Sequence, residues 1–178
     1  MAEHPGQYRA GQTALLATAE AVDPLVEHWR QRFDPCASAG IPAHVTVLFP
    51  FLDSDRISNA VIDDLRTLIG EHAPFAVRFV ECRRFPGVLY LAPEPEQPLR
   101  ALTETIWARW PEAPPYDGQF AEVIPHLTVA SSQQVHELDE VEQALATQLP
   151  ATATISSVTL FESDGKRWSR RADFPLLG

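Results

Sequence analysis

The sequence predicts an α+β protein with largely antiparallel sheets, and two features of the chain favour this fold class. Segments with strand-like alternation are interspersed with amphipathic segments of helical spacing along the whole chain. Several neighbouring strands are joined by turns too short for a parallel crossover, around Phe85-Pro86-Gly87 and Ser163-Asp164-Gly165. We expect one domain over residues 1–178, because no linker divides the chain and its length suits a single core.

Four helices are predicted from apolar periodicity. The first begins at Asp23-Pro24, an N-cap followed by a first-turn proline, and extends to about Phe33. The others cover residues 57–72, 99–110 and 135–145, where apolar side chains recur at three- and four-residue intervals. Ser131 and Ser132 are expected to cap the last of these helices.

Strands are predicted where apolar and polar residues alternate between turn signals. They cover residues 43–49, 75–82, 88–91, 122–130, 153–162 and 167–174. Proline is frequent, with 16 residues, and three of them fall in an irregular loop over residues 111–118. We therefore expect most prolines to stiffen the connections between elements.

Composition restricts the classes of function. The formal net charge is −10, from 14 basic and 24 acidic residues, so the chain lacks the basic surface that tight binding of long nucleic acid needs. No apolar run approaches the roughly 18 residues that span a bilayer, and no signal-peptide pattern is present. We therefore expect a cytoplasmic protein without membrane contact. We also expect it to be a monomer. Cys36 and Cys82 are too few and too distant for a disulfide scaffold or a thiolate zinc site.

The strongest signal in the sequence is an internal repeat. The segment IPAHVTV at residues 41–47 recurs as IPHLTV at residues 124–129, with the two histidines 82 residues apart. Both copies read proline, histidine, apolar, threonine, apolar, with one additional alanine in the first. Two coincidental copies are expected only about once in 150 to 200 chains of this composition, so the repeat is specific.

In each copy the histidine and the threonine are two residues apart. Side chains alternate between the two faces of a strand, so His44 and Thr46 share one face, and His126 and Thr128 share one face. The apolar residues between them lie on the opposite face and can pack beneath a helix. An exposed polar face backed by an apolar face is typical of a site for polar chemistry.

Two imidazoles across a cleft suit cleavage of a phosphate ester. A neutral imidazole can accept a proton from the attacking water, while a protonated one donates to the leaving oxygen. Threonine hydroxyls can donate to the non-bridging oxygens, where charge accumulates in the transition state. This chemistry needs no metal, and no set of His, Asp and Glu has metal-ligand spacing, so we predict neither a metal nor a cofactor.

The two motifs resemble those of the 2H phosphoesterase superfamily, in particular its 2′-5′ RNA ligase-like and cyclic nucleotide phosphodiesterase-like branch. The resemblance covers both motifs and the order of elements along nearly the whole chain, with an initial strand and a closing strand pair. It implies a duplicated, two-lobed α+β fold with a central cleft. It also implies His44 and His126 as catalytic acid and base, and Thr46 and Thr128 as phosphate-binding residues. The implied substrate is a 2′,3′-cyclic phosphate or 2′-5′ phosphodiester of a small nucleotide or RNA end.

Other activities remain open from the sequence. The chain could be an ATP-independent 2′-5′ RNA ligase, or a non-catalytic module that binds a phosphorylated ligand or RNA on the same platform. A globular domain with two coincidental strands is the third alternative. Histidines in both motifs argue against a pure binding module, which needs hydrogen-bond donors but no acid–base pair.

Aromatic and basic residues outside the motifs are further candidates for substrate contacts. Tyr116, in the proline-rich loop, is the leading candidate for a lid or base contact; Trp168 could also stack on a base, and Phe51 and Tyr90 are expected to be buried. We expect the main basic residues to be solvated charges in turns and at sheet edges. They are Arg83, Arg84, Lys166, Arg167, Arg170 and Arg171. Ordinary surface or terminal positions are expected for His4, His28, His72 and His136.

Overall fold

The computed structural model describes residues 8–178. The strands in this part of the chain are β1 (Ala10–Thr18), β2 (His44–Leu48), β3 (Phe75–Phe85), β4 (Val88–Glu94), β5 (Leu127–Ser131), β6 (Ala151–Ile155), β7 (Ser157–Asp164) and β8 (Trp168–Pro175). The helices are α1 (Asp23–Phe33), α2 (Pro35–Ser38), α3 (Asn59–Gly70), α4 (Gln97–Arg109) and α5 (Val135–Ala146). Each of the four predicted helices is present.

The strands form two four-stranded sheets with matching topology. Their orders are β2-β1-β7-β8 and β5-β4-β3-β6, and every neighbouring pair is antiparallel. A motif strand therefore lies at one edge of each sheet, paired with the strand that precedes it in the chain. The predicted α+β class with largely antiparallel sheets is confirmed.

The two halves of the chain exchange their supporting helices. Helix α1, which connects β1 to β2, packs against β5, and helix α4, which connects β4 to β5, packs against β2. The apolar faces of both motif strands supply the contact surface, because Val45, Val47 and Val129 are all buried. The Thr103 hydroxyl also donates to the Val47 carbonyl at 2.6 Å, which fixes α4 to the edge of β2 that β1 leaves unpaired. The edge strands β2 and β5 contact one another directly.

Two strand predictions differ from the structure. The single strand expected over residues 153–162 is two strands, β6 in the second sheet and β7 in the first, with the break at Ser156. Buried and exposed positions alternate in β6, whereas residues 158–161 of β7 are buried on both faces of the first sheet. The strand expected over residues 122–130 begins only at Leu127, so His126 immediately precedes it.

Two capping predictions also need correction. Asp23 is the first residue of α1 rather than its N-cap, and its carboxylate accepts a hydrogen bond from the Ala43 amide at 2.9 Å. Ser131 is the last residue of β5, and Gln134 occupies the N-cap position of α5. Ser132 nevertheless supports that turn, because its hydroxyl accepts from the Gln134 amide at 3.0 Å and donates to Glu137.

Within residues 8–178, no helix has both the length and the apolar character to cross a bilayer.

Candidate active site

The two motifs lie where the edges of the sheets adjoin. His44 is the first residue of β2, and His126 comes directly before β5. The strands are in contact, and the histidines are close enough for the charge of His126 to lower the pKa of His44. The structure thus brings together the two motifs that the sequence indicates. Thr46 and Thr128 each lie two residues after the histidine of their own motif.

Strand register defines the floor of the site. Thr46 lies opposite Leu16 of β1, and Thr128 lies opposite Tyr90 of β4. Residues directly opposite in an antiparallel pair project from the same face, so Leu16 and Tyr90 occupy equivalent places beside the two threonines. Both threonines are half-buried and keep part of their surface open.

Both histidines are held by the same hydrogen bond. Nδ1 of His44 lies 2.8 Å from the Pro42 carbonyl, and Nδ1 of His126 lies 2.7 Å from the Ile124 carbonyl, in each case the residue two positions earlier. A carbonyl can only accept, so Nδ1 carries the proton in both rings. In the neutral form Nε2 then carries the lone pair, and it is the nitrogen available to a substrate.

The histidines are buried more deeply than the sequence predicts. His44 is 8% exposed and His126 is 9% exposed, whereas the repeat indicates an exposed polar face. Phe85 and Tyr90 pack against the His126 ring, and His44 lines a small depression with Leu16, Phe49 and Trp168. Burial disfavours the charged imidazolium and lowers the pKa of both histidines, that of His44 to about 3.

A buried ionic network lies behind the first motif. The Arg30 side chain is 2% exposed; Nε donates to Asp34 at 3.0 Å and a terminal nitrogen donates to the Ile41 carbonyl at 2.9 Å. Asp23 lies 3.7 Å from the same guanidinium and also binds the Ala43 amide. The network therefore fixes the segment that leads into His44, and the positive charge of Arg30 further lowers the pKa of that histidine.

An aromatic cluster flanks His126. The rings of Phe85 and Tyr90 are stacked with centroids 4.4 Å apart, and the centroid of His126 lies 5.2 Å from Phe85 and 5.6 Å from Tyr90. Tyr90 is buried, as the sequence predicts, and Phe85 is partly exposed. Phe85 is a site residue that the sequence analysis did not identify, since a single aromatic beside a turn carries no distinctive pattern.

A second aromatic group flanks His44. Trp168 packs edge-on against Tyr8 and Phe49, with centroid separations of 5.1 and 6.0 Å. Trp168 lines a small depression together with His44 and Thr46, and its buried indole Nε1 has no hydrogen-bond partner among residues 8–178. Each histidine is therefore bordered by aromatic side chains on its own sheet.

The remaining candidates contact residues other than the two histidines. Phe51 is buried against Trp110, and Tyr116 packs edge-on against Phe120 within the proline-rich loop. Most of the basic residues are engaged elsewhere: Arg83 with Glu81, Arg84 with Asp139 and Glu142, Arg170 with Glu20, and Arg171 with Glu162. The backbone amides of Lys166 and Arg167 donate to Asp164 in the closing turn.

The other histidines do not join the pair. His28 packs edge-on against Trp29, His72 lies 3.2 Å from the Thr105 hydroxyl, and His136 is exposed on α5. His4 lies outside the described residues. Across residues 8–178, no three His, Cys, Asp or Glu side chains are grouped so that they could hold a metal ion.

Two antiparallel sheets, with a histidine–threonine motif on each of two adjoining edge strands, define a two-motif α+β protein of the 2H type. The chain belongs to the 2′-5′ RNA ligase superfamily, whose family model matches residues 18–167.

Curated relatives and solved structures agree with this assignment. A Bacillus licheniformis protein named "Putative phosphoesterase" is 28% identical over 170 residues, which are 91% of this chain and 96% of the relative. A Bacillus pumilus protein of the same name is 28% identical over 130 residues, 71% of this chain and 73% of the relative. Escherichia coli LigT complexed with 3′-AMP superposes with a TM-score of 0.62 at 17% identity, covering 96% of this chain and all of LigT.

Proposed function

We propose that this protein is a metal-independent phosphoesterase that hydrolyses a 2′,3′-cyclic phosphate or a 2′-5′ phosphodiester of a small nucleotide or RNA end. One observation carries the proposal. The two histidines lie at the starts of two adjoining strands, and an equivalent hydrogen bond to the backbone orients each ring and leaves Nε2 for the substrate. A binding module would gain nothing from two matched tautomers of this kind.

The proposed reaction is an in-line displacement at phosphorus. Nε2 of one neutral histidine accepts a proton from water as the water oxygen forms a bond to phosphorus. The ester bond on the opposite side breaks, and the other histidine, protonated at Nε2, gives its proton to the departing sugar oxygen. Thr46 and Thr128 donate hydrogen bonds to the non-bridging oxygens, where negative charge increases in the transition state.

The surroundings of the two rings favour His44 as the base and His126 as the acid. Arg30 is buried, bonds to the Ile41 carbonyl and places a positive charge near His44, which disfavours protonation of that ring. For His126, burial is the main cause of the lowered pKa. A bound phosphate, being anionic, raises the pKa of both rings, and the positive charge of Arg30 opposes this rise at His44.

Small nucleotides fit this site better than long RNA does. The net charge of −10 disfavours a polyanion, whereas the partly exposed ring of Phe85 beside His126 offers a stacking surface for a base. LigT, which shares the fold, has been crystallised with 3′-AMP, ATP and NADP+. We therefore place a nucleotide phosphate between the threonines.

Hydrolysis is the proposed direction, ahead of 2′-5′ ligation. Ligation needs two polynucleotide ends aligned at one phosphate, and an acidic chain gives them little electrostatic guidance. Water is present at about 55 M, so it outcompetes a second RNA end unless that end is held in place.

The proposal is tested with purified protein against 2′,3′-cyclic mononucleotides and 2′-5′-linked dinucleotides. Wild-type protein is expected to release a nucleoside monophosphate, whereas His44→Ala and His126→Ala each lower turnover by roughly 10² to 10⁴. The double variant is expected to be little worse than either single one, since the pair acts as a unit. His136→Ala, on the exposed face of α5, is the matched control. Near-native turnover in either single variant, or ATP-free ligation with negligible hydrolysis, would contradict the proposal.

A further inference from the structure

A cavity of about 220 Å³ lies beside the first motif, between α4 and the proline-rich loop. Thr46 lines it at one side, and Pro125, next to His126, lines it at another. The cavity is therefore continuous with the place where the reactive phosphate is proposed to bind. The depression that contains His44 and Trp168 is separate, although it shares Thr46.

The walls of this cavity expose two large aromatic side chains. Trp107 of α4 is 43% exposed and Phe120 of the loop is 41% exposed, although both border a concavity. Leu99 and Pro115 form buried parts of the lining. Aromatic rings that stay exposed at the walls of a pocket are a stacking platform for a planar ligand.

The polar rim of the cavity is acidic. Glu104 and Glu122 line it, and the only cation there among the described residues, Arg100, is already bonded to Glu96, Glu122 and the Val123 carbonyl. Carboxylates accept hydrogen bonds from exocyclic amino groups, and they repel phosphate and the two carbonyl oxygens that flank the ring N–H of uracil. The rim therefore admits a neutral base that carries an amino group and excludes an anionic end.

The loop that closes the cavity is held in a strained conformation. Tyr116 and Asp117 are consecutive non-glycine residues with φ values of 51° and 55°, in the left-handed region. The Tyr116 amide donates to the Phe49 carbonyl just after β2 at 2.6 Å, which ties this turn to the first motif strand. Backbone strain of this kind persists where the surrounding structure enforces it, and it is concentrated at binding sites.

We infer that this cavity binds the nucleobase of the nucleotide adjacent to the one whose phosphate reacts, so that the substrate is at least a dinucleotide unit. The inference rests on the proposed function for the position of the phosphate. It adds a second subsite with a preference for amino-bearing bases, adenine, cytosine or guanine, over uracil.

The test compares a 2′,3′-cyclic mononucleotide with a dinucleotide that ends in the same cyclic phosphate. Wild-type protein is expected to have the higher kcat/KM for the dinucleotide, and adenine is expected to be preferred over uracil at the added position. Phe120→Ala and Trp107→Ala should lower the ratio of dinucleotide to mononucleotide kcat/KM by roughly 5- to 100-fold through KM. Glu104→Gln should reduce the preference for adenine. Val135→Ala, which truncates an apolar side chain that is 64% exposed on α5, is the control and should leave the ratio as it is.

Direct binding separates this inference from the proposed reaction. In the His44→Ala/His126→Ala protein, calorimetry should show tighter binding of the dinucleotide than of the mononucleotide, and Phe120→Ala should remove the difference. Equal affinities, with no effect of Phe120→Ala, would overturn the subsite even if cyclic phosphates are hydrolysed. Tighter dinucleotide binding without any hydrolysis by the wild-type protein would support the subsite and refute the phosphoesterase proposal.

Discussion

Because His44 is buried, the free energy of unfolding should depend on pH by an amount that can be calculated. The pKa of this histidine is about 3 in the folded protein, against 6.5 in an unfolded chain, because the ring is desolvated and faces Arg30. The unfolded state therefore binds a proton at a pH where the folded state does not. The contribution of His44 to the free energy of unfolding is therefore fully present above pH 6.5, and it is lost as the pH falls from 6.5 towards 3.

The magnitude follows from the two pKa values. Between pH 7.5 and pH 4.5, proton binding to the unfolded state alone lowers the free energy of unfolding by about 3 kcal/mol through His44. Carboxylates and His126 also titrate with folding, so the contribution of His44 must be isolated by difference. His44→Asn removes the titrating group and should lose about 3 kcal/mol less than the wild type over this range.

Urea unfolding followed by far-UV circular dichroism at several pH values measures this difference. His136→Asn, at an exposed position on α5, is the matched control and should behave as the wild type does. The reasoning is refuted if wild type and His44→Asn lose the same stability between pH 7.5 and 4.5. That result would mean that the His44 ring is solvated in the folded protein and free to take up a proton.

Three further predictions concern the site. Thr46→Val and Thr128→Val should each lower turnover by up to roughly 10² to 10³, which is the cost of losing one charge-stabilising donor, while the circular dichroism spectrum stays unchanged. Unaltered kinetics in both variants would mean that the threonines have only a structural role. Activity should survive excess EDTA, and its loss with recovery on adding a divalent ion would indicate metal-assisted chemistry. Arg30→Met should lower the free energy of unfolding by about 3 to 5 kcal/mol, because it leaves the buried Asp34 carboxylate without its charge partner. Arg30→Met/Asp34→Asn should recover part of the lost stability, as measured by thermal or urea unfolding. In that double variant the pKa of His44 rises, so the acidic limb of the kcat/KM profile should move to higher pH; an unmoved limb would contradict the assignment of His44 as base.

Most helices and strands could be predicted from the sequence, because the patterns that indicate them involve residues close together in the chain. Helical periodicity and the strand alternation around each motif depend on residues a few positions apart, and α1 and β2 were predicted to within one residue at each end. The expected strand over residues 153–162 was wrong for a non-local reason. The alternation of buried and exposed positions in β6 gives way to continuous burial over residues 158–161 of β7, and which sheet each segment joins depends on pairing with the distant strands β3 and β1.

The candidate site was predicted in its motifs but not in its surroundings. Sequence spacing indicated which side chains share a face of each strand, yet not how deeply the neighbouring strands bury them. The Arg30 network was missed, although an arginine four residues after Val26 on the apolar face of a predicted helix, with Asp34 just beyond the end of that helix, is a readable signal. Phe85 and the cavity beside α4 depend on contacts between distant segments, which no local pattern contains.

The order in which the strands join the sheets has a consequence for biosynthesis. The second sheet is built from β3 to β6, four consecutive strands, whereas the first sheet waits for β7 and β8 to join β1 and β2. Until β7 leaves the ribosome, β1 and β2 form only a two-stranded ribbon, which has marginal stability in water. The first motif is therefore synthesised early but acquires its fixed shape last. A chain that ends before Ser157, once released from the ribosome, should contain a folded second sheet and no working pair of histidines.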